Sequence, residues 1–297
     1  MSASPRNHPI IGLNDRQSSD HDWRRTILVT GCSSGIGRAV ALGLQQRGWR
    51  VFATARQPED VVRLTDLGLE SLPLDLTDSN SIRQAVTTVL ERTGGRLYAL
   101  FNNGAYAQPG AVEDVPRAAL QAQFETNLFG THELTCQVIP AMRAQRCGRI
   151  IQNSSILGFV ALKYRGAYVA SKFALEGLSD TLRLELRGSG IEVVLIEPGP
   201  ITSNIRDNAC RAFRRYIDPT HSSHREAYQA VATRLCDEQA PPQPFTLPAE
   251  AVLRCVVRAL ESPHPRVRYP VTLPTHLFAV LKRLLPHRAC DWLLQRI

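Results

Sequence analysis

The sequence predicts an α/β fold in which one parallel sheet is covered by helices on both faces, with a helical extension at its C-terminal end. Three observations carry that prediction. Short β-branched runs alternate with longer helical stretches from Thr26 onward, a glycine-rich turn follows the first run, and 297 residues suit a single large core.

The strand runs are Ile27-Leu28-Val29, Val51-Phe52-Ala53, the segment ending in Leu74-Asp75, Tyr98-Ala99-Leu100-Phe101, Ile150-Ile151-Gln152 and Val193-Val194-Leu195-Ile196. Each is bounded by Gly, Pro, Asn or Asp, and together they give at least six parallel strands. Helical segments fall between them: after Gly37, from Ser79 to Glu91, from Pro116 through about Ala144, and from Tyr168 to Arg187. Pro116 suits a helix start and Gly188 a helix stop. No internal repeat interrupts the alternation, so the expected topology is doubly wound with right-handed crossovers.

Residues 1–25, rich in Ser, Asn, Asp, Pro and His, read as a flexible tail without the apolar segment of a secretory signal. Residues 26–270 form the sheet domain. Within it the periodicity weakens after Pro198, and Ala240-Pro241-Pro242-Gln243-Pro244 breaks a helical excursion between Ile205 and Leu235. That pattern marks 204–247 as an inserted lid over a substrate site. Residues 271–297 form an amphipathic extension. Leu273 to Leu285 carry apolar side chains at helical spacing beside Lys282 and Arg283, followed by Pro286 and Trp292-Leu293-Leu294. Packing of this stripe against the sheet domain is favoured over peripheral contact with a membrane.

Composition narrows the function. Hydrophobic residues make up 43% and charged residues 21%, too apolar for a disordered chain, and no run is long enough to span a bilayer. The excess of 35 Lys and Arg over 27 Asp and Glu is spread along the chain, and aromatics are only 6%, which argues against a nucleic-acid surface. A net +8 suits an anionic cofactor. Seven widely spaced cysteines without a C-x-x-C pair indicate neither a zinc site nor a disulfide frame, and a reducing cytoplasm is the simplest home. The eight histidines show no ligand spacing, and no metal is expected.

Thr30-Gly31-Cys32-Ser33-Ser34-Gly35-Ile36-Gly37 leaves the first strand and opens the first helix. Gly31, Gly35 and Gly37 let the backbone turn tightly and approach a pyrophosphate. The turn's N–H groups, with Ser33, Ser34 and Ile36 between the glycines, favour negative charge. At the end of the second strand, where an acidic residue would accept from a ribose 2′-hydroxyl, Ala55 is followed by Arg56. An arginine fork suits a 2′-phosphate, so NADPH is the expected cofactor. The alternative is that Arg56 is a solvated loop charge and NAD is also accepted. Further on, Tyr168 and Lys172 stand four apart on a helix and point the same way, with Ser155 thirteen residues before the tyrosine. A nearby ammonium favours a phenolate and draws its pKa toward neutrality.

These motifs, in this order from about Arg25 to Ser203, resemble those of the short-chain dehydrogenase/reductase family, whose domain is a Rossmann fold. The resemblance implies a tetrad of Asn127, Ser155, Tyr168 and Lys172. Tyr168 would exchange a proton with the substrate oxygen and Ser155 would position that oxygen. Lys172 would bind the nicotinamide ribose, and Asn127 would hold a water behind it. It also implies cofactor contacts: Asp75 to the adenine amino group, with the following backbone at Leu76 framing the ring, and Asn102-Asn103-Gly104-Ala105 where the family has Asn-Asn-Ala-Gly. In Pro198-Gly199-Pro200-Ile201-Thr202-Ser203, Ser203 holds the position of a carboxamide-binding threonine. Phe101-Asn102-Asn103-Gly104-Ala105-Tyr106 and Lys172-Phe173-Ala174-Leu175-Glu176-Gly177 resemble the branch of 17β-hydroxysteroid and retinol dehydrogenase-like enzymes and related bacterial aldehyde reductases. That branch implies a hydrophobic carbonyl or alcohol substrate and a homodimer or homotetramer. A nucleotide-sensing protein on the same fold is the alternative, and would be expected to have a damaged tetrad.

Overall fold

In β1 (Thr26–Val29), Ile27 and Val29 join one hydrophobic layer and Leu28 the other, as a period of two requires. All three are fully buried, so both faces of the strand must be covered. In this computed structural model, which describes residues 23–237, 241 and 243–296, helices cover each face. The tail expected at 1–25 lies outside the described residues as far as residue 22.

The remaining strands are β2 (Arg50–Ala55), β3 (Glu70–Pro73), β4 (Ala99–Asn102), β5 (Gly148–Asn153), β6 (Ile191–Glu197) and β7 (Arg268–Pro270). Between and after them come α1 (Gly35–Gln45), α2 (Pro58–Asp66), α3 (Ser79–Arg92), α4 (Arg117–Phe124), α5 (Gly130–Ala144) and α6 (Gly166–Glu185). Next are α7 (Ile205–Tyr216), α8 (Arg225–Cys236), α9 (Glu250–Glu261), α10 (Leu273–Leu284) and α11 (His287–Leu294). One layer packs Val40 and Leu44 of α1, Leu64 of α2 and Val252 and Val256 of α9. The other packs Ile82 and Val86 of α3 with Leu134, Val138 and Met142 of α5. Truncating a fully enclosed residue such as Leu28 to alanine would cost about 2–5 kcal/mol.

The sheet order is β3-β2-β1-β4-β5-β6-β7, with every neighbouring pair parallel. Strand order reverses direction between β1 and β4, which opens a crevice at their C-terminal ends. This is the Rossmann architecture, with one strand beyond the minimum of six read from the sequence. β7 is short; it pairs with β6 in the sheet and is tied further by Arg268, which reaches Glu197 of β6 and Asp180 of α6 at 2.6 Å each and also bonds Glu176.

Other elements depart from expectation. β3 ends at Pro73, so Leu74 and Asp75 lie in the following loop, although Leu74 N still donates to Ala55 O at 2.9 Å. The α2 helix, begun by Pro58 with Glu59 and Asp60 in its first turn, has too short an apolar pattern to read in advance. The single helix expected from Pro116 to Ala144 is two helices joined by a π turn at Glu125–Phe129.

The lid carries α7 and α8. Phe213 and Tyr228 meet edge to face at 5.3 Å, and Tyr228 Oη accepts from Ala111 N at 2.8 Å while donating to Asp114. Cys210 and Cys236 are joined by a disulfide, their Cα atoms 5.4 Å apart. That bond corrects the reading of all seven cysteines as unpaired, and the argument for a reducing cytoplasm loses its support. The two ends of the lid meet: Thr202 N donates to Leu247 O at 3.0 Å and Leu247 N to Pro200 O at 3.1 Å.

The C-terminal stripe also differs from expectation. Thr275 and Phe278 of α10 are buried against the domain, but Leu273, Leu277, Val280 and Leu284 are 52–73% exposed along one face. The helix packs through its other side. No helix among the described residues is long and apolar enough to cross a membrane.

Candidate active site

The glycine turn and the fourth-strand loop are tied together by side chains. Thr30 Oγ1 accepts from Asn103 N at 2.9 Å and Gly104 N at 2.8 Å, while Asn103 Nδ2 donates to Thr30 O at 2.9 Å and Gly31 O at 3.2 Å. Asn103 Oδ1 in turn accepts from Asn153 Nδ2 at 2.9 Å. The turn then passes so close to its neighbours that side chains are excluded. Gly31 has φ +69°, and a Cβ there would lie 2.8 Å from Gly104 Cα; a Cβ on Gly37 would lie 2.2 Å from Gly31 O. Ser34 stands at the N-cap of α1 without a side-chain capping bond, so the first-turn N–H groups keep their capacity for an anionic ligand.

From this turn a cavity of about 810 Å³ extends between the strand ends and the lid. Gly31, Ser33, Ser34, Gly35 and Ile36 line its entrance, with Asn103 and Gly104 alongside. Pro198, Gly199, Ile201 and Ser203 line another stretch, and Ser155, Tyr168 and Lys172 meet in its wall. Ser155 caps a short turn after β5 by accepting from Leu157 N at 3.1 Å, which fixes its hydroxyl. Tyr168 and Lys172 project from one face of α6.

Other expected site residues stand outside the cavity wall. Gly37 packs under the turn, and Arg56 is exposed just beyond β2. Asp75 Oδ1 holds its own loop by accepting from Thr77 N at 2.9 Å and Thr77 Oγ1 at 2.8 Å, and Leu76 packs beneath Gly104. Asn102 is buried and donates to Thr135 Oγ1 at 2.8 Å, a structural bond between β4 and α5. Asn127, in the π turn, is buried too. Its Oδ1 accepts from Tyr106 N at 3.1 Å and its Nδ2 donates to Tyr106 O at 2.9 Å and to Ser171 Oγ at 3.2 Å. It therefore clamps the Tyr106 backbone to α6.

The electrostatics differ from the simple expectation for a phenol beside an ammonium. Burial pushes the Tyr168 phenol up to about 12, while its bond with Ser155 and the charge of Arg165 pull the other way. Burial also brings the Lys172 ammonium down to about 8, against the pull of Glu176. Lys172 Nζ donates to Asn153 O at 2.7 Å and lies 5.8 Å from the Tyr168 ring centre. Desolvation thus outweighs pair attraction in the protein alone.

Sequence reasoning passed over three residues here. Thr30 and Asn153 order the loops, and Arg165 lines the cavity one helical turn before Tyr168. Thr30 borders the glycine motif and was the one within reach. Asn153 acts through its backbone carbonyl and its Nδ2 on Asn103, and Arg165 through tertiary placement.

Residues 25–212 match the family model described as short chain dehydrogenase. An uncharacterized oxidoreductase, YbbO, of Escherichia coli strain K12 is 42% identical over 272 residues, covering 92% of this chain and 94% of that protein. Retinol dehydrogenase 16 of Mus musculus is 33% identical, covering 94% of this chain and 90% of that protein. Among solved structures, a short-chain dehydrogenase/reductase from Burkholderia phymatum in complex with NAD aligns with a TM-score of 0.72 at 21% identity, over 90% of this chain and 94% of that one. One from Burkholderia cenocepacia in complex with NADP aligns at 0.70 and 23%, over 91% of this chain and 96% of that one. At these identities the structural likeness speaks for the fold, and the sequence relatives speak for the family. The chain belongs to the short-chain dehydrogenase/reductase family and is an oxidoreductase on its retinol-dehydrogenase-like branch.

Proposed function

We propose that this protein is an NADP(H)-dependent oxidoreductase that interconverts a hydrophobic carbonyl compound and its alcohol. The observation that carries the proposal is the meeting of Ser155, Tyr168 and Lys172 in one wall of the cavity that the glycine turn enters. The turn suits a dinucleotide: its glycines leave a cradle that a Cβ would fill, and the α1 N-terminus faces it with uncapped N–H groups. A bound nicotinamide supplies or accepts the hydride.

The protein's residues handle the oxygen and its proton. Ser155, its hydroxyl set by the Leu157 N–H, fixes the carbonyl oxygen. Tyr168 stays protonated at neutral pH and gives that oxygen its proton during reduction, or takes it back during oxidation. Lys172 spends one N–H on Asn153 O, leaving two for the ribose hydroxyls and the phenolic oxygen. Asn127 keeps the Tyr106 segment and α6 in register behind them. The meeting of Ser155, Tyr168 and Lys172 in one wall favours catalysis over nucleotide sensing.

Arg56, exposed at the end of β2 with no carboxylate at or beside it in sequence, supports a 2′-phosphate and hence NADPH over NADH. Apolar residues exposed on the π turn and α6, Phe129 and Leu184 among them, support a homodimer or homotetramer. Catalysis in the cytoplasm is part of this reading and draws no support from the cysteines, since Cys210 and Cys236 are joined. Retinal, steroid ketones and long-chain aldehydes assayed with NADPH and NADH, with Tyr168→Phe as control, test the reading. Undiminished turnover in Tyr168→Phe refutes the proton transfer, and faster turnover with NADH refutes the role of Arg56.

A second reading concerns place rather than chemistry. Leu273, Leu277, Val280 and Leu284 form an outward apolar stripe on α10, with Arg283 and Arg288 exposed near it in sequence, while Lys282 donates to Phe159 O. That arrangement suits peripheral contact with an anionic membrane surface.

A further inference from the structure

Arg165 is the one arginine among the described residues that lines the cavity on the side of the catalytic helix. It sits at the N-cap of α6, three residues before Tyr168, so the two side chains leave the helix on neighbouring positions of one face. Its backbone is fixed from two directions. Its carbonyl accepts from Val169 N at 2.9 Å, and residue 165 forms a bridge with Gly110, whose own N–H donates to Tyr164 O at 3.1 Å. Gly110 is in turn pressed against Ile217 of the lid, where a Cβ would come within 2.7 Å of Ile217 Cδ1. Arg165 is therefore a positioned group rather than a loose surface charge.

Among the described residues its guanidinium has no ionic counterpart. Nη1 is buried and donates to nothing among the described residues. An arginine in a protein keeps its charge, and a buried donor left unmade is unfavourable. The charges that act on it are the Tyr168 phenol and Arg234 of α8, a second cation. Asp207 and Asp237 also line the cavity from the lid, yet neither is among the groups that act on Arg165. Ala107, Leu157, Leu162, Ala209 and Leu235 supply apolar wall to the same space. Among the described residues, none supplies an anionic acceptor to Arg165 in this corner of the cavity.

We propose that Arg165 is a substrate anchor for a carboxylate, so that the preferred substrates are apolar carbonyl or alcohol compounds that also carry an acid group. The proposal rests on the oxidoreductase reading for the reacting end of the substrate and adds a requirement at another point of it. A carboxylate takes the fork of a guanidinium in two parallel bonds and brings the charge that Arg234 and Tyr168 do not supply. The apolar body lies along the leucine and alanine walls.

The test pairs dodecanal with 12-oxododecanoate, two aldehydes of equal length that differ in the acid group, in wild type, Arg165→Gln and Arg165→Lys. Wild type is expected to favour the oxo acid in kcat/KM by tenfold or more. In Arg165→Gln the loss for the oxo acid exceeds the loss for dodecanal by about 10- to 100-fold, through KM, and Arg165→Lys restores part of it. Binding without turnover gives a second readout: dodecanoate binds at least tenfold more weakly to Arg165→Gln, while dodecan-1-ol loses less than threefold. Equal losses for both aldehydes, or a wild-type preference for dodecanal, overturn the anchor and leave the oxidoreductase reading intact. If neither aldehyde turns over but dodecanoate binding still depends on Arg165, the anchor stands and the reading of the reaction fails. Should Arg165→Gln not fold, the wild-type preference and Arg165→Lys decide the question.

Discussion

Gly37→Ala separates what helix propensity predicts from what this site demands. In an ordinary helix the change stabilises by about 0.5–1 kcal/mol. Here the added Cβ would sit 2.2 Å from Gly31 O, 2.6 Å from Asn103 Nδ2 and 2.8 Å from Gly31 C. Heavy-atom contacts normally settle near ~3.5 Å, so the glycine turn has to retreat by about an ångström. Two of the three obstructing atoms are backbone, and the third is already committed to Thr30 O and Gly31 O. Overpacking of this kind costs about 1–3 kcal/mol, which offsets the helical gain and leaves a net loss of up to about 2.5 kcal/mol. The displaced turn is also the proposed phosphate cradle, so NADPH affinity is expected to fall tenfold or more. Gly177→Ala is the matched control: it lies within α6 with nothing within 4 Å of its Cβ, and should raise the melting temperature by about 1–4 °C. Thermal unfolding and NADPH fluorescence titration read both variants. If Gly37→Ala binds NADPH as wild type does and melts no lower, the close-approach argument is wrong.

Three further predictions follow from charge, the lid and the C-terminal stripe. Lys172, held at about 8 in the folded protein against an ordinary 10.5, binds its proton more weakly than the unfolded chain does, so its contribution to stability improves as pH rises through that window. Tyr168, raised from 10.0 to about 12, reverses the trend above pH 10, because the folded state then holds the extra proton. The kcat/KM for carbonyl reduction is expected to fall above about pH 8 as Lys172 loses its charge, and Lys172→Met to lower kcat about 10²–10⁴-fold; a flat profile from pH 7 to 10 contradicts this. Cys210 and Cys236 close a separation of 26 residues, worth roughly 3 kcal/mol of chain entropy, so Cys210→Ala should make the lid more sensitive to limited proteolysis and raise KM. Unchanged cleavage under oxidising conditions would show that the bond does not restrain the lid. Liposome flotation with anionic vesicles should recover wild type but not Leu277→Glu/Val280→Glu, and equal recovery of both would refute membrane contact through α10.

The sequence made the strands legible wherever a fully enclosed apolar run met a turn residue, as at Ile27-Leu28-Val29 and Val193 to Ile196. It did so because burial on both faces leaves no room for polar residues. β7 escaped notice because Arg268, Tyr269 and Pro270 have no such pattern and depend on carboxylates from β6 and α6. The π turn at Glu125–Phe129 was equally hidden, since one inserted residue leaves the helical periodicity almost intact. At the site, the glycine turn could be located by its place after the first strand, and Ser155, Tyr168 and Lys172 by their resemblance to the family's motifs in order along the chain. The sign of the Tyr168 shift could not, because it depends on how much water the fold removes. Arg165 and the Cys210–Cys236 bond arise from contacts across the lid that no local motif encodes. The stripe on α10 was visible as apolar spacing, but which side met the domain was decided by Thr275 and Phe278.

The joining of the lid's two ends at Thr202 and Leu247 has a consequence for how such an enzyme diversifies. A segment that departs from and returns to nearly one point can be lengthened, shortened or exchanged with little effect on the sheet, because closing a longer loop costs only about 0.6 kcal/mol per doubling. The residues proposed for proton transfer and dinucleotide binding stand on the strand ends and α6, outside that segment. Grafting a different sequence between positions 204 and 247 is thus a route to a new substrate range on an unaltered chemical engine.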